Sequence, residues 1–84
     1  MKSISVDKNY NAIEKCLQIL SIFSLDKTQY SIKEICELLN FNLSTTYRIL
    51  STLEEYGYVS RLKNKEYVVG PQALYLTASY TQSN

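Results

Sequence analysis

Two helix signals lie in the middle of this chain with only a short turn between them, and their spacing restricts the fold more than any other feature. In "YSIKEICELLN", Ser31 is followed three residues later by Glu34, the pattern of a capping box. Ile32, Ile35, Cys36 and Leu39 recur at helical spacing and make a stripe to be buried. Asn40 follows the last periodic residue and tolerates the left-handed backbone that ends a helix. Phe41, Asn42 and Leu43 make a short turn, with Asn42 the expected cap of the next helix. In "STTYRILSTLEEYG", the apolar stripe is Ile49, Leu50, Leu53 and Tyr56, and Gly57 is the stop. Two helices joined by a turn of about three residues have the spacing of a helix-turn-helix.

The flanks complete the pattern. Upstream, "NAIEKCLQILSIFSL" places apolar residues at 12, 13, 16, 17, 19, 20, 22 and 23, again at helical spacing. Their arc is wider than one core requires, with Ile19 and Ile22 broadening it on one side. Such a helix either touches a second surface, such as a partner subunit, or simply leaves apolar area exposed, as small proteins do. Downstream of Gly57 the period changes. "YVSRL" and "EYVV" are rich in β-branched and aromatic residues and flank the turn "KNK", which predicts a hairpin with Asn64 supplying a positive φ at its tip. Gly70 and Pro71 end it, and "QALYLTASY" reads as a weak last helix. The expected fold is mostly α with a small β-hairpin wing: a winged helix-turn-helix with a three-helix core and one further C-terminal helix.

Function is expected on the outward face of the second helix of the pair, over residues 43–56. On a helical wheel Thr46 sits among Ile49, Leu50 and Leu53 and so points into the core. Ser44, Arg48, Ser51 and Glu55 occupy the opposite face, flanked by Thr45, Tyr47 and Thr52. Small side chains let a helix lie deep in the major groove, and hydroxyls and a helix N-terminus hold phosphate oxygens. Arg48 has the fork that pairs with guanine O6 and N7. The same hydroxyls also serve as ordinary caps. The wing, residues 58–69, adds Arg61, Lys63 and Lys65 for phosphate, with Asn64 at its tip. Ser31 and Lys33, at the start of the preceding helix, are also expected within reach of backbone.

Charge and composition narrow the alternatives. The net charge is only +1, so no wholesale basic signature exists, but residues 58–70 hold three basic side chains against one acid. Histidine is absent, only two glycines occur, and no carboxylates cluster, so an enzyme is not expected and neither is a cofactor. The two cysteines, Cys16 and Cys36, form no CxxC, which argues against zinc. They read as free thiols in a reducing cytoplasm, with a bridge between two helices left open. No apolar run approaches the roughly 18 residues of a membrane span, and no secretory signal is visible at the N-terminus. The rival class is a protein-interaction module, favoured by the low charge, eight tyrosines and an exposed Tyr47.

"AIEKCLQIL", "YSIKEICELLNFNLSTTYRILSTLEEYGYV" and "EYVVGPQALYL" together resemble the N-terminal winged-helix domain of the IclR-type bacterial transcription regulators. The resemblance runs from about residue 12 to about residue 78. Its most specific parts are "ST" with Arg48 close behind, the "LxxLEEYGYV" block and the strand leading into "GP". It implies a homodimeric, sequence-specific binder of double-stranded DNA, acting as repressor or activator. It also implies a following domain for a small-molecule effector, which this chain lacks. On that reading residues 1–10 are a tail, 11–70 the DNA-binding domain and 71–84 a linker helix toward the effector domain. A chain ending there reads as a fragment of a longer regulator, with a natural stand-alone module as the alternative. Asn40 stands where the family often has Gly, and Asn42 and Leu43 where it has Pro and a polar or basic residue. Tyr47 replaces a frequent His and Ser51 a frequent Arg, which removes two contacts and implies a different operator.

Overall fold

Caps fix the boundaries on both sides of the central turn. The structure is a computed structural model and describes residues 8–83. Its elements run α1 (Lys8–Ser21), α2 (Ile32–Leu39), α3 (Leu43–Glu55), β1 (Val59–Arg61), β2 (Tyr67–Val69) and α4 (Gln72–Ser83). The expected capping box opens α2: the Glu34 N–H donates to the Ser31 hydroxyl at 3.1 Å, and the Ser31 N–H donates to the Glu34 carboxylate at 2.8 Å. Asn40 ends the helix at φ 59, ψ 47, and the Phe41 N–H then reaches the Cys36 carbonyl at 3.1 Å. Asn42 caps α3, its side-chain oxygen accepting from the Thr45 N–H at 2.8 Å. At the far end Gly57 takes φ 85. Its N–H donates to Glu54 at 3.0 Å and that of Tyr58 to Leu53 at 2.8 Å, the paired bonds of a Schellman stop.

Three expectations about the helices change. α1 begins at Lys8, inside the stretch assigned to the tail, because no Gly or Pro interrupts helix propagation there. It ends at Ser21, so Ile22 and Phe23 reach the core from a loop, not from the helix. α3 stops one residue early, and Tyr56 is 67% exposed, not part of the buried stripe. The reversal at Gly57 turns the chain before Tyr56 completes another helical turn, and Val59, 1% exposed, enters the core instead.

The core draws on nearly every element: Ile19 from α1, Tyr30 from the loop, Ile35 from α2, Leu50 and Leu53 from α3, Val59 from β1 and Tyr67 from β2. Thr46 is fully buried among them, as the wheel predicts, with its hydroxyl donating to the Asn42 carbonyl at 2.8 Å. Burying a residue such as Leu50 or Ile35 stabilises by roughly 1.5–3 kcal/mol. Both cysteines are free and half-buried.

The hairpin pairs Val59 with Val69, Ser60 with Val68 and Arg61 with Tyr67. Its tip departs from expectation. The positive φ, 71°, falls on Lys65, while Asn64 stays at negative φ and its side-chain oxygen accepts from the Glu66 N–H at 2.9 Å. That contact and the Lys65 N–H to Leu62 carbonyl bond at 2.9 Å make a turn that hands the left-handed position to the next residue. A third extended segment joins the sheet unannounced by any local signal. Tyr30 and Tyr67 exchange backbone hydrogen bonds at 3.1 and 2.7 Å. The Tyr30 ring also meets Phe23 edge-on at 5.4 Å between centroids.

α4 starts against the turn that ends α3. The Gln72 N–H donates to the Gly57 carbonyl at 2.8 Å, and a Cβ on Gly70 would lie 2.5 Å from that same oxygen. No residue of α4 is buried. Gly70→Ala should therefore cost about 3 kcal/mol, since backbone and not a flexible side chain must yield. Urea denaturation checks this, and a loss below about 0.5 kcal/mol would show that α4 swings away at little cost.

Candidate nucleic-acid interface

The burial of Thr46, Leu50 and Leu53 dictates what α3 shows to solvent. Ser44, Tyr47, Arg48 and Ser51 are exposed on its outer side, Tyr47 at 53%. Thr45 and Thr52 belong to a flank. With Arg48 and Ile49 they line a groove of about 480 Å³ against Ala12, Ile13 and Cys16 of α1. The Thr52 hydroxyl is already engaged, donating to the Arg48 carbonyl at 3.1 Å. Cys16 is half-buried in the groove wall, and burial pushes its thiol above the ordinary range, which makes it a poor nucleophile.

The wing carries its cations at two different places. Lys63 and Lys65 are exposed around the turn with Asn64. Arg61 lies on the strand itself, its guanidinium 6.0 Å from the centre of the Tyr67 ring. Burial raises the Tyr67 phenol above its usual range; Arg61 opposes that shift, while Glu54 and Tyr47 of α3 add to it. Sequence reasoning missed Tyr67 and Tyr30, because the pairing that makes them matter joins residues far apart in the chain.

At the start of α2, Lys33 is exposed. Ser31 is half-buried and spends its backbone N–H and a hydroxyl lone pair on the capping box, so only its hydroxyl proton is left to offer. The twelve candidate residues therefore form not one patch but an α3 ridge, an α1-side flank, a wing strand, a wing tip and the α2 start. Among the described residues no cluster of three or more His, Cys, Asp or Glu could hold a metal, and no helix is long and apolar enough to cross a membrane.

A capped helix pair on a three-helix core, followed by a two-stranded hairpin against the second helix of the pair, defines a winged helix-turn-helix domain. The sequence model of the IclR helix-turn-helix domain matches residues 12–63, and the chain belongs to that family of DNA-binding domains of transcriptional regulators, not enzymes. Among curated proteins it is 33% identical over 60 residues to the HTH-type transcriptional regulator XynR of Escherichia coli K12, covering 70% of this chain and 24% of that protein. Among solved structures it superposes on an IclR transcriptional regulator from Alicyclobacillus acidocaldarius with a TM-score of 0.82 at 28% identity, covering 88% of this chain and 30% of that one. The Thermotoga maritima IclR gives 0.76 at 30% identity, covering 87% and 30%. The chain thus spans 24–30% of the length of these relatives.

The capping box also sets a pH dependence. The Ser31 N–H, foremost, and then Lys27, whose ammonium lies 3.3 Å away, hold the Glu34 carboxyl below its ordinary value near 4.5. The folded state therefore binds this proton more weakly than the unfolded chain does. The resulting stability is complete above about pH 4.5 and is lost as pH falls through the lowered folded value. Glu34→Gln keeps the bond from Ser31 but cannot titrate. Thermal melts from neutral to acid pH should show a shallower loss for that variant than for the parent, and parallel curves would exclude the effect.

Proposed function

We propose that this chain binds duplex DNA in a sequence-specific manner, with α3 in the major groove and the wing along the neighbouring backbone. The observation that carries the reading is the division of α3: Thr46, Leu50 and Leu53 are buried, while Ser44, Tyr47, Arg48 and Ser51 are exposed beside a capped helix start. In this reading Arg48 forks onto a guanine edge, Tyr47 and Ser51 meet neighbouring bases, and Ser44, Thr45 and Thr52 hold phosphate or sugar. Arg61, Lys63 and Lys65 hold phosphate from the wing with Asn64 shaping its tip, and Lys33 and the Ser31 hydroxyl reach backbone from α2.

One protomer offers few contacts, so useful affinity calls for two half-sites and hence a homodimer. Exposed Ile13 and Leu17 on α1, at 58% and 59%, and Leu74, Tyr75 and Leu76 on α4 support that reading. Residues 11–70 then act as the DNA-binding unit and 71–84 as a linker helix toward an effector-binding domain, within a regulator working in the bacterial cytoplasm. Whether it represses or activates depends on where its operator lies relative to a promoter.

Arg48→Ala should cost about 1–3 kcal/mol on the preferred site and relax the base preference at one position. Thr46→Ala should lower stability by about 1 kcal/mol through the lost bond to Asn42 while leaving affinity nearly unchanged. Fluorescence anisotropy across salt concentrations should give a log–log slope of roughly −7 for a dimer with about four basic contacts per protomer. A salt-independent interaction of sub-micromolar strength would instead favour the protein-interaction reading, to which the exposed Tyr47 also lends itself. In sedimentation at high concentration a dimer is expected, and a strict monomer that still binds DNA tightly would exclude the two-half-site reading.

A further inference from the structure

Arg61 and Tyr67 face each other across the wing. Hydrogen-bonded and non-hydrogen-bonded pairs alternate along an antiparallel ladder. The Leu62 N–H reaches the Glu66 carbonyl at 2.8 Å and the Gly70 N–H the Tyr58 carbonyl at 2.9 Å, so Arg61 and Tyr67 form a non-hydrogen-bonded pair, the kind whose side chains approach most closely. The free edge of Tyr67 is not left to solvent, because both of its backbone groups bond to Tyr30. Tyr30 immediately precedes the Ser31 cap of α2. Tyr67 is 3% exposed and belongs to the buried core, so its ring is a well-fixed surface, and the Arg61 guanidinium rests at the outer limit of a cation–π contact with it.

Direction is set by alternation along the strands. Val59 and Tyr67 share one hairpin face, and both are buried on the core side where β1 meets α3. Arg61 lies on that same face, whereas Lys63 and Lys65 sit in the turn beyond the paired residues. The Tyr67 phenol also feels the charges of Tyr47 and Glu54, which places the pair close to the exposed side of α3. An arginine free in solvent loses much rotamer freedom when it grips a phosphate, and one already laid on a ring loses less.

We propose that Arg61, beside the Tyr67 ring, is the wing's fixed phosphate contact, with Tyr67 as its positioning residue, while Lys63 and Lys65 hold phosphate more loosely from the turn. The inference rests on the DNA-binding function proposed for α3 and the wing. It adds that the wing is registered to the recognition helix and to the start of α2 through one buried tyrosine.

The test uses the 84-residue chain and duplexes that it enriches from a random-sequence pool, with affinity read by anisotropy at several salt concentrations. Arg61→Ala should weaken binding by about tenfold and lower the salt slope by about 0.9 for each protomer bound. Arg61→Lys keeps the charge but loses the planar guanidinium fork beside the ring, so it should keep the slope while weakening binding about threefold. Lys63→Ala and Lys65→Ala combined should weaken binding less than Arg61→Ala alone. Tyr67→Phe should be silent, and Tyr67→Leu should weaken the parent by about threefold yet add nothing to Arg61→Ala. Circular dichroism checks that Tyr67→Leu folds, and if it does not, the Arg61→Lys comparison decides. Arg61→Lys binding like the parent overturns the proposal, as does a Tyr67→Leu loss of equal size in the Arg61→Ala background. A pool without enrichment overturns the DNA-binding reading and this inference with it. Enrichment that depends on Arg48 but not on Arg61 overturns this inference alone.

Discussion

The Gly57 carbonyl is the point on which the rest of the chain turns. It receives the Gln72 N–H at 2.8 Å and leaves no room for a side chain on Gly70. Gly57 itself adopts φ 85, a backbone that other residues rarely take. The end of the recognition helix, the return of the wing and the start of α4 therefore meet at one backbone contact. Whatever moves α4 must either move α3 or break this contact. The chain uses both of its glycines for it.

The recognition helix satisfies two demands that oppose each other. Its inner side packs closely enough for the helix pair to share one thin core, and its outer side, in the reading proposed above, enters a groove. Thr46 serves the first, because a short side chain that bonds to its own helix start permits close approach without leaving a buried hydroxyl without a partner. In the proposed reading the serines serve the second. The cost is helix propensity, which is modest for such residues. The Asn42 cap and the Schellman stop offset it at either end.

A net charge of +1 supplies little long-range attraction to a polyanion. Local arrangement has to compensate. The acids of α3 lie near its C-terminal end, and Glu34, the acid nearest the α2 start, is held in the capping box and by Lys27. Arg48, Lys33 and the wing cations remain exposed. The chain thus presents a small positive surface on a nearly neutral body, which in the proposed reading favours a few directed contacts over diffuse attraction.

The sequence by itself determined most of what depends on neighbours within one helical turn or one hairpin, the left-handed residue at the wing tip excepted. The capping box at Ser31 and Glu34, the left-handed Asn40, the Asn42 cap, the Gly57 stop, the inward Thr46 and the two wing strands are all local in this sense. Their physics is a hydrogen bond or a dihedral set by residues a few positions apart. Tertiary structure decided the rest. Tyr30 carries no strand signal of its own, and only the arrival of Tyr67 gives its backbone a partner. The pattern of apolar residues put Tyr56 in the core, but the chain reversal exposed it and substituted Val59. The three basic side chains of residues 58–70 read as one group, yet the fold separates Arg61 beside its tyrosine from the lysines of the turn. A composition cannot show which cation will be held and which will remain free, because that depends on a ring brought into place by packing elsewhere in the chain.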